Sequence, residues 1–228
     1  MPNTFDEITS TPSWVNQQKT LIASLRKQPL IIVIRIASSE IDEYHAQSLI
    51  SIIGKLESNG VRHIEIAWSP HPRWILLVKE IKHTFANISL GVASISNKIG
   101  LNSITEIGFD YAMSPMWDPD LQRQARLHNQ ILIPGVFSPT EVQKAIAFGW
   151  RVIKIFPASN LGYNYINQLN GPISNMPFTI AAGGLKINDI DHWLKAGYGA
   201  VAIGRELFRN NEIDPLLAIW LKRNKPTP

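Results

Sequence analysis

The sequence predicts an α/β fold, a TIM (β/α)8 barrel with an extra N-terminal helix. Short apolar runs rich in β-branched residues alternate along the whole chain with segments of helical periodicity. Eight such strand-like runs occur, and each strand-helix unit spans roughly 20 to 27 residues, a spacing typical of this barrel. The alternative is an open doubly wound sheet, but no Gly-x-Gly-x-x-Gly sequence follows the first strand.

The composition fits one large folded domain. The chain has 228 residues, of which 45% are hydrophobic and 18% charged, values typical of soluble globular proteins. We expect a flexible arm over residues 1–12, an N-terminal helix over 13–28, the barrel over 29–222 and a short tail over 223–228. No range has the composition of an interdomain linker.

Charge and cysteine content narrow the possible functions. The net charge is +4 and cysteine is absent, so thiol chemistry is impossible and a reducing cytoplasm is the simplest location. The basic residues are scattered, so no nucleic-acid partner is predicted. No apolar run approaches the length of a membrane span, and no membrane partner is expected. The six histidines lack metal-ligand spacing, so we predict no metal site and no other cofactor.

The N-terminal elements are predicted from their ends. Ser13 is a suitable N-cap for a helix over residues 14–27, and the apolar run 30–34 is typical of a buried strand. The next helix has apolar residues at helical spacing and ends at Asn59-Gly60.

Later elements repeat one pattern. Further strand-like runs begin near Arg62, Ile88, Phe109, Ile131, Arg151, Phe178 and Gly199. Glycines at 60, 108, 149 and 197 each precede a strand, as expected where a helix ends. Residues 138–141, Ser-Pro-Thr-Glu, predict a capping box, Asn188 is a predicted N-cap, and a last helix is expected near 215–222.

Lys154 is the most unusual residue for its position. It lies in the apolar run Val-Ile-Lys-Ile-Phe at residues 152–156, a sequence typical of a strand buried on both faces. Burial disfavours the ammonium form and lowers the pKa of the amine. An amine that is neutral near physiological pH is the nucleophile that a Schiff-base enzyme needs.

Glu65 is a second charged residue inside an apolar strand-like run, at residues 61–66. If Glu65 faces the barrel interior, its carboxyl group shares a small dry space with the Lys154 amine and is able to transfer protons. The alternative is a buried structural ion pair between the two residues.

The remaining candidates lie at the carboxyl-terminal ends of the strands, where barrels of this class carry their active sites. They are Arg35, Ser94, Pro115, Phe156, Gly183, Gly184, Gly204 and Arg205. The glycines after the seventh and eighth strands occupy positions where many barrels bind phosphate through backbone amides. Arg205 is either an additional anion ligand or a solvated surface arginine.

Three segments carry a resemblance to a known family. They are Gly-Val-Arg-His-Ile-Glu at 60–65, Pro-Gly-Val-Phe-Ser-Pro-Thr-Glu at 134–141 and Val-Ile-Lys-Ile-Phe-Pro-Ala at 152–158. In this order they resemble motifs of the class I aldolases that cleave 2-keto-3-deoxy-6-phosphogluconate (KDPG) and 4-hydroxy-2-oxoglutarate (KHG). The resemblance runs from about residue 29 to 207.

The resemblance implies cleavage of a 4-hydroxy-2-keto acid to pyruvate and an aldehyde. Lys154 then forms the Schiff base and Glu65 shuttles protons. Arg35 is expected near the substrate, Ser94, Pro115 and Phe156 around pyruvate, and Gly183, Gly184, Gly204 and Arg205 around a phosphate or second carboxylate. A 2-keto acid and pyruvate are therefore the expected ligands, and a homotrimer is the expected assembly.

Four positions depart from the family pattern. Ser69 and Arg205 stand where the family has arginine and serine, and Ser94 and Ala182 replace threonines. These changes spare the lysine and the glutamate but affect residues that hold the ends of the substrate. Two other functions stay open at this level: an isomerase or synthase that binds phosphate without a Schiff base, and a non-catalytic binding protein.

Overall fold

The computed structural model describes residues 11–36, 41–209 and 212–224. Within these ranges the chain forms a nearly closed barrel of parallel strands surrounded by helices. Residues 1–10 of the predicted arm and 225–228 of the predicted tail lie outside the described ranges. In the described ranges no helix is long and apolar enough to cross a membrane.

The bounds of the elements follow the predicted alternation. The barrel strands are β1 (Leu30–Ile34), β2 (His63–Ala67), β3 (Ser89–Ala93), β4 (Tyr111–Met113), β5 (Leu132–Ile133), β6 (Gly135–Val136), β7 (Val152–Ile155), β8 (Phe178–Ala182) and β9 (Ala200–Ile203). The helices are α1 (Pro12–Lys27), α2 (Glu43–Ser58), α3 (Trp74–Thr84), α4 (Lys98–Ile107), α5 (Pro119–Leu127), α6 (Pro139–Phe148), α7 (Tyr165–Asn170), α8 (Ile190–Lys195) and α9 (Leu216–Arg223). A short hairpin, β10 (Phe208–Arg209) and β11 (Glu212–Ile213), precedes α9.

The predicted barrel is confirmed, with its fifth strand divided in two. The strand order is β5-β4-β3-β2-β1-β9-β8-β7-β6, and the two outer strands are consecutive in the chain, separated only by Pro134. Proline has no N–H for a sheet ladder, which accounts for the division. Its carbonyl accepts a hydrogen bond from the backbone N–H of Lys154 at 3.0 Å. Because β5 and β6 join the two ends of the sheet, the open doubly wound alternative is wrong.

The joints between helices and strands also follow the prediction. Gly60, Gly108, Gly149 and Gly197 have φ values of 91°, 69°, 98° and 108°, the left-handed region that favours glycine. The capping box is present, since the Ser138 side chain accepts from the Glu141 N–H and the Glu141 carboxylate accepts from the Ser138 N–H.

Two predicted caps are wrong. Helix α1 begins at Pro12, and its N-cap is Thr11, whose hydroxyl accepts from the Trp14 N–H at 3.2 Å. Proline is favoured at the first helical position, so the helix starts earlier than a cap at Ser13 allows. Asn188 lies within a 3-10 turn, Ile187–Asp189, that leads directly into α8, so it does not cap that helix.

Helix α1 covers the amino-terminal end of the barrel, opposite the predicted site. Trp14 is fully buried and its ring contacts that of Trp150 edge to face, with centroids 4.7 Å apart. Gln18 accepts a hydrogen bond from the Arg151 N–H at 2.8 Å. Just after the helix, Gln28 accepts from the Arg62 N–H at 2.7 Å and donates to the Gly60 carbonyl at 2.8 Å. These glutamines therefore satisfy backbone groups that precede β7 and β2.

We expect Gln28→Leu to lower the free energy of unfolding by about 1–3 kcal/mol, because it removes the hydrogen-bond partners of the Arg62 N–H and the Gly60 carbonyl in a partly buried site. Chemical denaturation measures the change. The matched control is Gln143→Leu on the exposed face of α6, which should change stability by less than about 0.5 kcal/mol. Equal effects of the two substitutions would contradict this role of Gln28.

Candidate active site

A cavity of about 280 Å³ opens at the carboxyl-terminal ends of the strands. The ten predicted site residues all line it: Lys154, Glu65, Arg35, Ser94, Pro115, Phe156, Gly183, Gly184, Gly204 and Arg205. Parallel strands place their carboxyl-terminal ends at one edge of the barrel, which is why residues far apart in sequence meet there. The structure thus brings the whole predicted set together.

Glu65 and Lys154 are the buried ionisable groups of this cavity. Glu65 on β2 is 2% exposed and Lys154 on β7 is 6% exposed. The described residues show no direct ion pair between them, and the Lys154 amine lies 5.0 Å from the centroid of the Phe156 ring. The structural ion pair considered above is therefore not formed, and the two groups face a shared cavity.

Burial dominates the ionisation of both groups. Burial raises the pKa of Glu65 to about 7, although the positive charges of Lys154 and Arg35 oppose the shift. Burial lowers the pKa of Lys154 to about 8, an effect that the Glu65 carboxylate opposes and the Arg35 guanidinium reinforces. A carboxylic acid and an amine that both titrate near neutral pH suit proton transfer and nucleophilic attack.

Arg35 and Ser94 form one wall of the cavity. The Arg35 guanidinium donates to the Ser94 hydroxyl at 3.0 Å. Ser94 has a φ of 67°, a strained conformation for a residue other than glycine, and such strain is concentrated at functional sites. The hydrogen bond holds the arginine at the mouth of the cavity.

The glycines after β8 allow a close approach of two loops. A Cβ at Gly184 would lie 2.4 Å from the Ser159 hydroxyl, and one at Gly183 would lie 3.0 Å from the Phe156 ring. Gly204 follows β9, and Arg205 is exposed at the start of a 3-10 turn. This part of the cavity therefore combines glycine backbone with an exposed positive side chain, an arrangement suited to an anion.

Sequence reasoning missed several residues of the cavity wall. They are Val33, Ala93, Met113, Pro157, Ser159, Leu185, Ala202 and Glu206. Ala182, named above as a departure from the family pattern, also lines the cavity. The strand-end rule would have found Ala93 and Ala202, but the loop residues Ser159 and Glu206 had no motif to mark them. Ser69 is buried outside the cavity lining and accepts from the His71 N–H at 3.2 Å.

Tyr111 was also missed, and it lies directly beside Glu65. The sheet register pairs Glu65 with Gly91 and Gly91 with Tyr111, so the three residues form one row across β2, β3 and β4. Tyr111 is fully buried, and its hydroxyl lowers the pKa of Glu65, though less than Lys154 and Arg35 do. Tyr111 could be recognised as a neighbour of Glu65 only from the strand register, which the sequence alone does not give.

A parallel α/β barrel with a buried amine and a buried carboxyl group at its carboxyl-terminal edge is an arrangement suited to an enzyme that forms a Schiff base with carbonyl compounds. The family model "Aldolase: KDPG and KHG aldolase" matches residues 21–215. The chain belongs to the KDPG and KHG aldolase family.

Individual relatives agree with this assignment. A probable 2-dehydro-3-deoxy-6-phosphogalactonate aldolase of Rhizobium meliloti is 25% identical over 183 residues, covering 80% of this chain and 83% of its own. The Escherichia coli 2-dehydro-3-deoxy-6-phosphogalactonate aldolase is 23% identical over 184 residues, covering 80% and 86%. A crystal structure of KDPG aldolase from Legionella pneumophila, with pyruvate captured as a covalent carbinolamine, has a TM-score of 0.71 at 20% identity and covers 90% of this chain and 92% of its own.

We expect the Lys154 amine to react with a small acylating reagent at a rate that is half-maximal near pH 8, since burial lowers its pKa to about 8 from the ordinary 10.5. Glu65→Gln should move this midpoint to lower pH, because the carboxylate it removes favours the ammonium. Peptide mass spectrometry across a pH series measures both midpoints. The exposed Lys144 in the same digests is the internal reference and should react identically in the two proteins. A midpoint that moves to higher pH in Glu65→Gln would contradict this account.

Proposed function

We propose that this protein is a class I aldolase that uses Lys154 as its Schiff-base residue and Glu65 as its general acid and base. The observation that carries the proposal is the pair of buried groups in one cavity, an amine with a pKa of about 8 and a carboxyl group with a pKa of about 7. Near neutral pH each group is populated in both of its protonation states, as both roles require.

The reaction begins with attack of the neutral Lys154 amine on the C2 ketone of a 4-hydroxy-2-keto acid. Glu65 protonates the departing oxygen of the carbinolamine, which loses water to give a protonated imine. Glu65, now a carboxylate, accepts the proton of the C4 hydroxyl as the C3–C4 bond breaks. The bonding electrons pass to the imine, an aldehyde leaves, and the remaining enamine takes a proton at C3. Hydrolysis of the resulting imine releases pyruvate and regenerates the amine.

The cavity lining offers groups for both ends of a phosphorylated substrate. We expect Arg35, with Ser94, Pro115 and Phe156, to hold the carboxylate and the pyruvate carbons. We expect Gly183, Gly184, Gly204 and Arg205 to hold the phosphate. Relatives are named as phosphogalactonate and phosphogluconate aldolases, which supports a 2-keto-3-deoxy-6-phospho sugar acid as substrate and 4-hydroxy-2-oxoglutarate as a second candidate.

The same proposal includes an assembly and a location. A homotrimer and a role in carbohydrate metabolism are what the resemblance to the family implies. The absence of cysteine fits a cytoplasmic location. Sedimentation equilibrium distinguishes a trimer from a monomer or dimer.

Reduction with borohydride in the presence of pyruvate should attach a pyruvyl group to Lys154 of the wild-type protein, found by peptide mapping. Lys154→Ala should give no adduct and no cleavage. Glu65→Gln should still give the adduct but cleave substrate about 10²–10⁴-fold more slowly, the usual contribution of general acid–base catalysis. Lys144→Ala, on the exposed face of α6, is the matched control and should behave as wild type.

The outcomes separate the functions that the sequence left open. The absence of an adduct at saturating pyruvate would contradict the Schiff-base mechanism and favour a phosphate-binding isomerase or synthase. An adduct without cleavage of any 4-hydroxy-2-keto acid would favour a binding protein.

Arg205→Ala should lower kcat/KM at least tenfold for a 6-phosphorylated substrate and leave that for 4-hydroxy-2-oxoglutarate within about twofold, because we expect the guanidinium to bind the phosphate. Steady-state kinetics on both substrates measure the two ratios. Arg123→Ala on the exposed surface of α5 is the control and should change neither. An equal loss on both substrates would exclude a phosphate-specific role.

A further inference from the structure

Tyr111 is a buried polar residue next to Glu65 that the proposed reaction does not use. It does not line the cavity, so any effect it has on substrate passes through Glu65. Directly opposite residues of a sheet point to the same face, and the register places Glu65, Gly91 and Tyr111 opposite one another on three neighbouring strands. All three therefore point into the barrel.

Gly91 allows the phenol ring to reach the carboxyl group. A Cβ at position 91 would lie 2.6 Å from the Cζ atom of Tyr111 and 2.7 Å from Cε2, so the ring occupies the space that a side chain on β3 would fill. With any larger residue at 91, β3 would separate β4 from β2 on the inner face. Because Gly91 has no side chain, no group of β3 stands between the Tyr111 hydroxyl and Glu65.

The atoms at the two ends of this path are complementary. The Oη atom of Tyr111 and the Oε1 atom of Glu65 are both fully buried, and neither has a hydrogen-bond partner of standard geometry. One is a donor and the other an acceptor, and buried polar atoms are rarely left unpaired. A small side-chain rotation that joins them would satisfy both.

We propose that Tyr111 is a positioning residue of the aldolase, whose hydroxyl donates a hydrogen bond to the Glu65 carboxylate and thereby orients and stabilises the ionised form. The proposal rests on the catalytic role of Glu65 given above. The groups that act on Glu65 are Lys154, Arg35 and Tyr111, and those that act on Tyr111 are Glu65 and Asp110. Of these groups, only the Tyr111 hydroxyl can be removed without changing a formal charge or the packing of Glu65, Gly91 and Tyr111 against one another.

Tyr111→Phe is the test, and Tyr198→Phe is its matched control. The Tyr198 hydroxyl is also buried without a partner, but it lies outside the cavity lining, packed on Trp193. The carboxyl stretch of Glu65, identified by its loss in Glu65→Gln, is titrated by infrared difference spectroscopy without substrate. In Tyr111→Phe its midpoint should rise by roughly 0.5–1 pH unit, a threefold to tenfold change in the ionisation constant, and Tyr198→Phe should match wild type.

Activity gives a second readout. The acidic limb of the kcat profile should move to higher pH by the same amount in Tyr111→Phe, with little change in KM. An unchanged infrared midpoint, or a moved midpoint with an unmoved kcat profile, would overturn the proposal. If Tyr111→Phe does not fold, 3-fluorotyrosine at position 111 replaces it: a more acidic donor should lower the Glu65 midpoint, and no shift counts against the proposal.

Failure of the Tyr111 proposal can be distinguished from failure of the proposed aldolase function. Pyruvate trapping on the wild-type protein tests the Schiff base alone and does not depend on Tyr111. The infrared titration needs neither substrate nor turnover, so it reports on the Tyr111–Glu65 pair even if the wild-type protein forms no adduct.

Discussion

Two buried ionisable groups of opposite charge in one cavity are the constraint on which the rest of this molecule depends. The cost of removing Lys154 and Glu65 from water is what brings both pKa values toward neutrality. Because no direct ion pair neutralises them, the cavity keeps space between an amine and a carboxyl group. The remaining structure must maintain that arrangement against the tendency of charged groups to hydrate or to collapse onto each other.

The barrel meets this demand through the rigidity of parallel strands. Glu65 and Lys154 lie on strands from opposite parts of the chain, yet both are fixed by ladders on each side. The division at Pro134 does not loosen the Lys154 strand, since the proline carbonyl accepts the Lys154 N–H. The two arginines of the site, Arg35 and Arg205, lie at its exposed rim. Reactive groups fixed on strands, with substrate contacts made by exposed side chains at the rim, are consistent with a family that accepts different aldehydes.

Sequence patterns predicted the parts of this structure that depend on interactions between residues close together in the chain. Apolar periodicity located the strands, glycines marked the helix ends, and the buried position of Lys154 indicated the site before any fold was known. The error at Ser13 arose because Pro12 starts the helix two residues earlier than predicted, and the error at Asn188 arose because a 3-10 turn precedes α8. Tyr111, Ser159 and Glu206 could not be found because their positions depend on strand register and loop approach. Those contacts join residues distant in sequence, and no pattern within a single strand specifies them.

The packing of α1 over the amino-terminal end of the barrel has a consequence for the order in which the chain folds. The hydrogen bond from the Arg151 N–H to Gln18 joins residues separated by 133 positions, so it closes a loop that spans more than half of the molecule. Loop closure of this length carries a large entropic cost until the intervening strands are assembled. Although α1 is synthesised before every strand, its docking is therefore expected to be among the last steps of folding. The docking of α1 then depends on β2 and β7 having reached their places.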